Sequence, residues 1–459
     1  MNARSHRRAG LALVAAVATA MTAACGSLTP GSSSSGGGDG GGSSAAGKVL
    51  TAADVRKAGD ITLHVSDYQS AGMLDALKKE SKAFEKAYPN VKIALTTKAF
   101  DDYGKTIALA MSAKDAPDIA QANAAMAPRL VGGHLVRTMN DYYDGYHWGK
   151  DYPASIDGGL KADTTGKKFG SGDYWGMALG GNLVGVFYNA AKLQALGLQP
   201  PTTFAEFQSD LATAKAKGET PIVMGNLEQF PSNHVLSTLM NGMEKPQSIT
   251  DWVNGQPGAT FNTPETKQAL TTLQDWSAKG YFTDQTNGTK DTDATAAFAS
   301  GQGVFDITGS WHTSQFDQGL GDKGGFMLLP PMTAGGTSGA TGFFSEAWTI
   351  SKQTKHADVA AYFLNYLYGP ESVQDNLAGG YLPFAATDTA PGGKVANDVL
   401  KAWRTAVGGD ALSPYLDSAT PAMGDAMFPA LQALLGGKQT PDQVIQTVQG
   451  AWDSYHKGS

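Results

Sequence analysis

The chain has 459 residues, of which 41% are hydrophobic and 17% are charged, so most of it should fold around a buried core. This composition excludes a mainly disordered protein, and the formal net charge of −7 argues against a nucleic-acid-binding protein. A single cysteine excludes an intrachain disulfide and a zinc site with several thiolate ligands.

The first 24 residues have the pattern of a secretory signal peptide. Three arginines precede an apolar run at positions 11–24, and no acidic residue occurs there. This run is too short to cross about 30 Å of hydrocarbon as a helix. The stretch Thr22-Ala23-Ala24-Cys25-Gly26 is similar to a bacterial lipobox, although Thr22 stands where leucine is preferred. We therefore expect cleavage before Cys25 and lipidation of that residue; the alternative is a buried cysteine in an uncleaved segment.

Residues 25–47 are predicted to form the lipidated cysteine and a flexible linker. Positions 26–47 contain nine glycines and seven serines. Such a stretch buries too little apolar area to offset the entropy of ordering it. Two acyl chains on one cysteine give stable anchoring, so the linker would hold the folded part close to the outer face of the cell membrane.

The remainder alternates short apolar strands with amphipathic helices, which is typical of an α/β fold. In the first part we predict strands at 61–65, 91–95 and 118–120. A helix between the first two carries Met73, Leu77, Phe84 and Tyr88 on one face and stops at Pro89, and a second helix covers about 103–113. Strands that alternate with helices in this way favour a mostly parallel sheet with right-handed crossovers.

The second part continues the alternation. Strands are predicted near 174–179, 183–188, 221–224, 304–308 and 326–329. Helices are predicted after the capping box of Thr203 and Glu206, after Pro264, over 360–367, and after Thr440.

Motifs that carry chemistry are incomplete or absent. Gly104-Lys105-Thr106 resembles the end of a phosphate-binding loop, but Ala99 stands where the first glycine is needed. The glycine-rich stretch 319–324 precedes a predicted strand where a dinucleotide site needs a helix. The eight histidines are not spaced as metal ligands, and no Gly-x-Ser-x-Gly motif occurs. The sequence therefore predicts a protein that is not an enzyme and has no cofactor and no metal.

Several segments together resemble the extracellular solute-binding proteins of ABC importers, in the subgroup that includes the maltose-binding protein. The resemblance runs from about Gly59 to Trp452 and depends on the order of short motifs. These motifs are Ala83–Val91, Ala116-Pro117-Asp118-Ile119, Gly185-Val186-Phe187-Tyr188-Asn189, Pro200–Phe204, Ala297–Gly303, Gly309-Ser310-Trp311, Leu329-Pro330 and Ile350-Ser351-Lys352.

This resemblance implies a two-lobed, periplasmic-binding-protein-like α/β fold with a mostly parallel sheet in each lobe and a hinge that the chain crosses three times. The expected division is 48–181 plus 332–369 for the first lobe and 182–331 plus 370–459 for the second. Crossings are then expected near Gly181, Pro331 and Gly369. The implied function is that of a monomeric substrate-binding lipoprotein, which captures a mono- or oligosaccharide between the lobes and delivers it to an ABC permease.

Candidate ligand-binding residues combine polar side chains with aromatic rings, because a sugar presents both hydroxyl groups and apolar C–H faces. Asp67, Tyr68 and Gln69 follow the first strand, where open α/β sheets bind ligands, although an ordinary polar turn would have the same composition. The resemblance places a stacking aromatic ring at Trp311, and the alternative there is a core tryptophan.

The other candidates follow from their positions beside the matched segments. Phe344 and Glu346 occupy positions where relatives often have small residues, which indicates either a specificity contact or packing. The aromatic residue that the family has near its C-terminal helices is missing, and Gly424 and Phe428 are nearby. The remaining candidates are Asn123, Asn182, Gln229, Phe230 and Asn233.

Two other classes of function stay open on the sequence alone. A secreted carbohydrate-active hydrolase could draw its pair of carboxyl groups from the many acidic residues. A surface interaction protein without a small ligand would share the same signal and linker. Ligands other than sugars, such as amino acids, polyols or glycerol phosphate, occur on related folds.

Overall fold

The computed structural model describes residues 47–457 except 70, 333–337, 345 and 385–389. The predicted signal peptide, Cys25 and the linker up to residue 46 lie outside the described residues.

Helices and strands alternate along the described chain. The helices are α1 (Ala52–Arg56), α2 (Ala71–Ala87), α3 (Phe100–Ser112), α4 (Ala127–Gly132), α5 (Asn140–Tyr146), α6 (Ala154–Gly159), α7 (Ala190–Ala195), α8 (Phe204–Ala216), α9 (Pro231–Met243), α10 (Pro246–Val253), α11 (Pro264–Ala278), α12 (Asp291–Ala299), α13 (Thr313–Leu320), α14 (Ala357–Tyr368), α15 (Val373–Gly379), α16 (Lys394–Gly408), α17 (Met423–Leu435) and α18 (Pro441–His456). The strands are β1 (Ile61–Asp67), β2 (Val91–Thr97), β3 (Ile119–Ala122), β4 (Lys161–Ala162), β5 (Asp173–Tyr174), β6 (Met177–Ala178), β7 (Gly181–Asn189), β8 (Ile222–Val223), β9 (Phe305–Gly309), β10 (Gly324–Met327), β11 (Ala340–Phe344), β12 (Ala347–Ile350) and β13 (Leu412–Ser413).

The first lobe is built on a sheet with the strand order β2-β1-β3-β12-β6. β1 pairs in parallel with β2 and β3, and β12 runs antiparallel between β3 and β6. The parallel part corresponds to the predicted strand–helix–strand–helix–strand segment. β12 is antiparallel because it enters this sheet from the other lobe and not through a local crossover helix.

The second lobe is built on a sheet with the strand order β13-β11-β7-β9-β8, and β10 also pairs with β7. β7 is antiparallel to β9, β10 and β11, whereas the outer pairs β8–β9 and β11–β13 are parallel. The α/β class is therefore as predicted, but the second sheet is mixed and not mostly parallel, because three returning strands pair with its long central strand.

The described chain passes between the two lobes three times, as predicted, but two of the passages lie elsewhere. The first falls between β6 and β7, next to Gly181. The second falls between Phe344 and Ala347 and not near Pro331, because β10 and β11 pair with successive halves of the same edge of β7. The pair of prolines at 330–331 follows β10, which ends at Met327, and does not return the chain to the first lobe.

The third passage also comes later than Gly369. The helix α14 ends there as predicted, but the next helix, α15, still packs on α2 in the first lobe. Glycines permit this close approach, since a Cβ at Gly379 would lie 3.1 Å from the backbone oxygen of Gly72. The chain joins the second lobe at Leu382, which forms an isolated bridge with Gly181.

Local signals explain several element boundaries. Thr203 and Glu206 form the predicted capping box of α8, in which each side chain accepts a hydrogen bond from the other's backbone N–H. Thr440 and Gln443 do the same for α18. Asn233 lies in the first turn of α9, which starts with a proline at N1.

Candidate ligand-binding cleft

The first-lobe wall of the cleft is formed where β1 and β3 end. These strands are parallel neighbours, so their carboxyl ends meet at one edge of the sheet. The backbone N–H of Tyr68 donates a hydrogen bond to Gln121 Oε1 at 3.0 Å, and Gln69 Nε2 donates to Tyr381 Oη. Asp67 is fully buried and accepts a hydrogen bond from the backbone N–H of Gln69 at 3.4 Å. These bonds fix the orientation of the polar side chains.

The second-lobe wall comes from β7, α9 and the segment before α17. Asn233 Nδ2 donates a hydrogen bond to Asp417 Oδ1 at 3.1 Å. Tyr415 Oη donates to Asn182 Oδ1 at 2.7 Å. Asn182 therefore positions Tyr415. The side-chain amide of Asn233 is held through its Nδ2 atom only.

Four polar atoms near these two walls are buried and have no hydrogen-bond partner among the described residues. They are Tyr68 Oη, Gln69 Oε1, Gln121 Nε2 and Asn233 Oδ1. Buried polar atoms of folded proteins are usually hydrogen-bonded, and each one left unsatisfied costs about 1–3 kcal/mol. The set includes both donors and acceptors, which suits a ligand whose groups both donate and accept.

A line of aromatic rings connects the two walls. Tyr68 lies 5.4 Å from Phe100, and Phe100 lies 6.0 Å from Phe230 of the other lobe, measured between ring centroids. Phe230 is 5.6 Å from His234, which in turn is 5.3 Å from Trp311. Apolar ring surface thus lies beside the unsatisfied polar atoms.

Carboxyl groups dominate the electrostatics of this region. Burial, and then the negative charge of Glu346, raises the pKa of Tyr68, Tyr381 and Tyr415 well above the ordinary value of tyrosine. Glu346 is itself 8% exposed and lies on the passage between β11 and β12. The tyrosines are therefore neutral hydroxyl groups around one acidic side chain.

Two further groups have shifted protonation equilibria. Burial raises the pKa of Asp417 to about 6, with the hydrogen bond from Asn233 acting in the opposite direction. Burial, together with the charge of nearby His312, lowers the pKa of His234 to about 3. His234 is therefore a neutral ring at pH 7, and it contributes packing surface and not positive charge.

A groove extends outward from this region between α3 and α4 of the first lobe and α17 of the second, with a volume of about 180 Å³. Arg129 crosses it and donates a hydrogen bond from Nη2 to the backbone oxygen of Pro421 at 3.2 Å. The groove is lined by Phe100, Gly104, Lys105, Ile107, Ala108, Asn123, Ala125, Met126, Arg129, Leu130, Asp417, Pro421, Gly424, Asp425 and Phe428.

Comparison with known proteins identifies the family. Residues 79–402 match the sequence profile of the bacterial extracellular solute-binding proteins. The chain belongs to this family. The multiple sugar-binding protein of Streptococcus mutans serotype c is 24% identical to it over 325 residues, which cover 67% of this chain and 71% of that protein.

Solved structures of other proteins share the two-lobed fold of this solute-binding protein. A chitin oligosaccharide binding protein superimposes with a TM-score of 0.74 at 22% identity, covering 87% of this chain and 100% of that one. A sugar transporter protein of Bacillus licheniformis in complex with stachyose gives 0.66 at 20% identity, covering 86% and 100%. The predicted family resemblance and the predicted fold class are thus confirmed.

Most predicted site residues of the solute-binding protein lie together. Tyr68, Gln69, Phe230, Asn233 and Trp311 are connected by the contacts described above, and Asp67 and Glu346 lie beside them. Their contact with a ligand stays a prediction.

Four predicted residues have other roles in the structure. Asn123 lines the outer groove, but its Oδ1 also accepts a hydrogen bond from the backbone N–H of Met126 at 3.0 Å. Asn182 holds Tyr415. The side-chain nitrogen Nε2 of Gln229 donates to Gln432 Oε1 at 2.9 Å. Phe344 is the last residue of β11, at the passage between the lobes, and its buried ring packs into the core of the first lobe, 6.0 Å from Trp175, so its contacts are those of packing.

Sequence reasoning missed several residues that the fold brings to the cleft. They are Phe100, Gln121, His234, Tyr381, Tyr415 and Asp417. Gln121 had a usable signal, because it is the only polar residue of the buried strand β3. Tyr381, Tyr415 and Asp417 lie in short loops without a motif, so only the tertiary structure identifies them.

Within the described residues, no group of histidine, cysteine, aspartate and glutamate side chains is arranged to hold a metal ion. None of the described helices combines the length and the apolar character that a membrane span requires.

Proposed function

We propose that this solute-binding protein captures a mono- or oligosaccharide in the cleft between its lobes. The observation that carries the proposal is the set of buried, unpartnered polar atoms of both lobes beside the line of aromatic rings. A sugar ring packs its C–H faces on aromatic surfaces and offers hydroxyl groups that both donate and accept hydrogen bonds. The sugar-binding relative in S. mutans and the neighbour solved with stachyose support the same class of ligand.

We further propose that the ligand is enclosed by a hinge motion of the two lobes. The moving bodies would be residues 47–178 with 347–380, and residues 181–344 with 382–457, which follow the sheet membership of the strands. Direct interlobe contacts at the cleft, such as Phe100 with Phe230 and Arg129 with the Pro421 carbonyl, describe the closed arrangement. Opening would separate these contacts and expose both walls to water.

The cellular role that we propose is delivery of the captured sugar to an ABC permease, without chemical change of the sugar. The mature protein would be exported, monomeric, and held at the outer face of the membrane only by the lipid on Cys25. The signal-like segment 1–24 and the glycine- and serine-rich linker support this proposal.

A binding screen tests the proposed ligand class. The purified protein is titrated calorimetrically with stachyose, raffinose, chitin oligosaccharides, xylo-oligosaccharides and galactose, and thermal melts are recorded in parallel. A ligand at 100 times its Kd should raise the free energy of unfolding by about 2.7 kcal/mol. Binding without any reaction product supports the proposal, whereas cleavage products would support the hydrolase alternative. Absence of binding to every sugar would contradict the proposed ligand class.

A pair of asparagine variants locates the binding site. Asn233→Ala removes a buried amide whose Oδ1 is unpartnered, and it should weaken sugar binding about tenfold, corresponding to one hydrogen bond of about 1.4 kcal/mol. Asn254→Ala, at an exposed position after α10 of the same lobe, is the matched control and should bind normally. Equal affinities of the two variants would place the ligand elsewhere.

A further inference from the structure

The outer groove between α3, α4 and α17 borders on the residues that hold the unpartnered polar atoms. Phe100 and Asp417, one from each lobe, line this groove. Phe100 is also 5.4 Å from the ring of Tyr68, and Asp417 accepts the hydrogen bond from Asn233 Nδ2 at 3.1 Å. Tyr68 and Asn233 each carry one of the buried oxygen atoms without a partner. The region around the four unpartnered atoms, which we call the inner site, therefore continues into the groove.

The groove has the size and the surface of a site for one sugar unit. A water-sized group needs about 10–15 Å³, so a volume of about 180 Å³ has room for roughly ten such groups, which corresponds to one pyranose unit. Phe100 and Phe428 contribute apolar surface from opposite lobes. Lys105 and Arg129 contribute hydrogen-bond donors, and Asp425 contributes acceptors. Apolar surface beside donors and acceptors is the combination that a sugar ring requires.

Two glycines inside helices keep the groove open. Gly104 in α3 and Gly424 in α17 line it from opposite lobes. Neither has a positive φ, so the backbone does not require glycine at these positions. Glycine is, after proline, the least favourable residue in a helix. Neither helix therefore benefits from its glycine.

The space beside each glycine belongs to the groove. A Cβ at Gly104 would lie 3.2 Å from Met126 Cε, and Met126 lines the groove. A Cβ at Gly424 would lie 3.0 Å from Phe428 Cε2, and Phe428 lines the opposite side. A longer side chain at either position would compete with a ligand for this space.

We propose that the outer groove is a second sugar subsite, and that Gly104 and Gly424 determine the chain length of the ligand by keeping it open. The ligand would then be an oligosaccharide, with one end in the inner site and its next unit in the groove. This inference rests on the proposed sugar-binding function and adds a chain length to it. Arg129, which crosses the groove to the Pro421 carbonyl, has further N–H groups that can donate to hydroxyl groups of this unit.

A chain-length series tests the second subsite. The full-length mature protein is titrated calorimetrically with three series that run from a mono- to a tetrasaccharide. They are N-acetylglucosamine to its chitin tetramer, xylose to xylotetraose, and galactose through melibiose and raffinose to stachyose. In a series that binds, we expect the affinity to rise at least about tenfold at the step that adds the unit in the groove.

Two results of this titration would contradict different claims. Equal affinity at all lengths, or tightest binding of the monosaccharide, would overturn the second subsite while leaving sugar binding intact. Absence of binding in all three series would contradict the proposed sugar-binding function itself, and the inference with it.

Leucine at either glycine assigns the step to the groove. Gly104→Leu and Gly424→Leu fill the groove from opposite walls, and each should reduce the step to less than about threefold while the shorter members keep their affinity. Both replacements raise helix propensity, so the helices should stay folded, and melting curves check this. Gly450→Leu in α18, where an added Cβ has no neighbour within 4 Å, is the matched control and should keep the step.

Either groove variant alone decides the question, because the two walls belong to different lobes. An unchanged step in a folded Gly104→Leu or Gly424→Leu protein would refute the role of the groove. An equal loss of affinity for short and long members would do the same, since it would show that the replacement disturbs the inner site.

Discussion

Replacement of Trp311 by alanine separates a ligand contact from a core contact. The ring lies in the short helical turn after β9, 5.3 Å from His234, and covers Gly309 so closely that a Cβ there would be 2.0 Å from it. It is only half-buried, so part of its surface stays available to a ligand. Aromatic residues at the centre of a binding site typically contribute at least about 2 kcal/mol, which predicts a loss of affinity of roughly thirtyfold.

The same variant should cost less stability than a core truncation. Replacing a fully buried tryptophan by alanine lowers the free energy of unfolding by about 3–5 kcal/mol. For Trp311, which is only half-buried, we expect a loss of about 1–2 kcal/mol. Trp403→Ala is the matched control, since this residue of the same lobe is 2% exposed and donates a hydrogen bond from Nε1 to the Pro383 backbone oxygen at 2.8 Å. Calorimetric titration and denaturant melts measure both quantities. Normal affinity combined with early melting of Trp311→Ala would refute a stacking role.

Three other predictions address anchoring, closure and pH. Cys25→Ala should release the protein from the membrane fraction into the medium, and its retention would contradict lipid anchoring. Small-angle scattering should give a smaller radius of gyration at sugar saturation, and an unchanged radius would argue against hinge closure. Burial raises the pKa of Asp306 well above its ordinary value, and burial together with the charge of Glu228 raises the pKa of Asp291 to about 7. The contribution of these two groups to the free energy of unfolding is therefore highest below about pH 4 and declines as the pH rises towards 7. Asp306→Asn should therefore raise the free energy of unfolding at pH 7 by about 1–3 kcal/mol and leave it unchanged near pH 4. The same change of melting temperature between pH 4 and pH 7 in both proteins would contradict this prediction.

The elements that the sequence predicted well have strong local signals. Buried and exposed residues alternate in β1, and capping residues pair at the starts of α8 and α18. These features depend on residues that are close in sequence, so the structure contains them as predicted. The passages between lobes do not have such signals. Pro331 follows the end of β10 and Gly369 caps α14, but the end of an element does not show which sheet the chain joins next. That choice depends on the part of the β7 edge that β10 leaves free for β11 and on the packing of α15 against α2.

The candidate site could be predicted in part for a related reason. Residues next to a recognisable strand end, such as Tyr68 and Gln69, follow from the topology of parallel sheets. Tyr381, Tyr415 and Asp417 arrive from loops more than 300 residues away in sequence from β1, where composition does not distinguish them from other polar positions. Phe344 illustrates the converse error, because an unusual side chain at a matched position fills the core of the first lobe.

The unpartnered polar atoms of the cleft also explain why closure should depend on a ligand. On closure each such atom loses its hydrogen bond to water. Without a ligand to replace that bond, it destabilises the closed arrangement by about 1–3 kcal/mol. The interlobe contacts at the cleft include one hydrogen bond from Arg129 and one aromatic pair, which contribute about 0.5–1.5 kcal/mol each, and the packing of α2 against Trp311 and α13. Two or three unsatisfied atoms offset the hydrogen bond and the aromatic pair, so closure should be more favourable with a ligand than without one. A sugar shifts the balance towards closure because its hydroxyl groups pair with atoms of both walls only when the lobes are together, which couples recognition to closure.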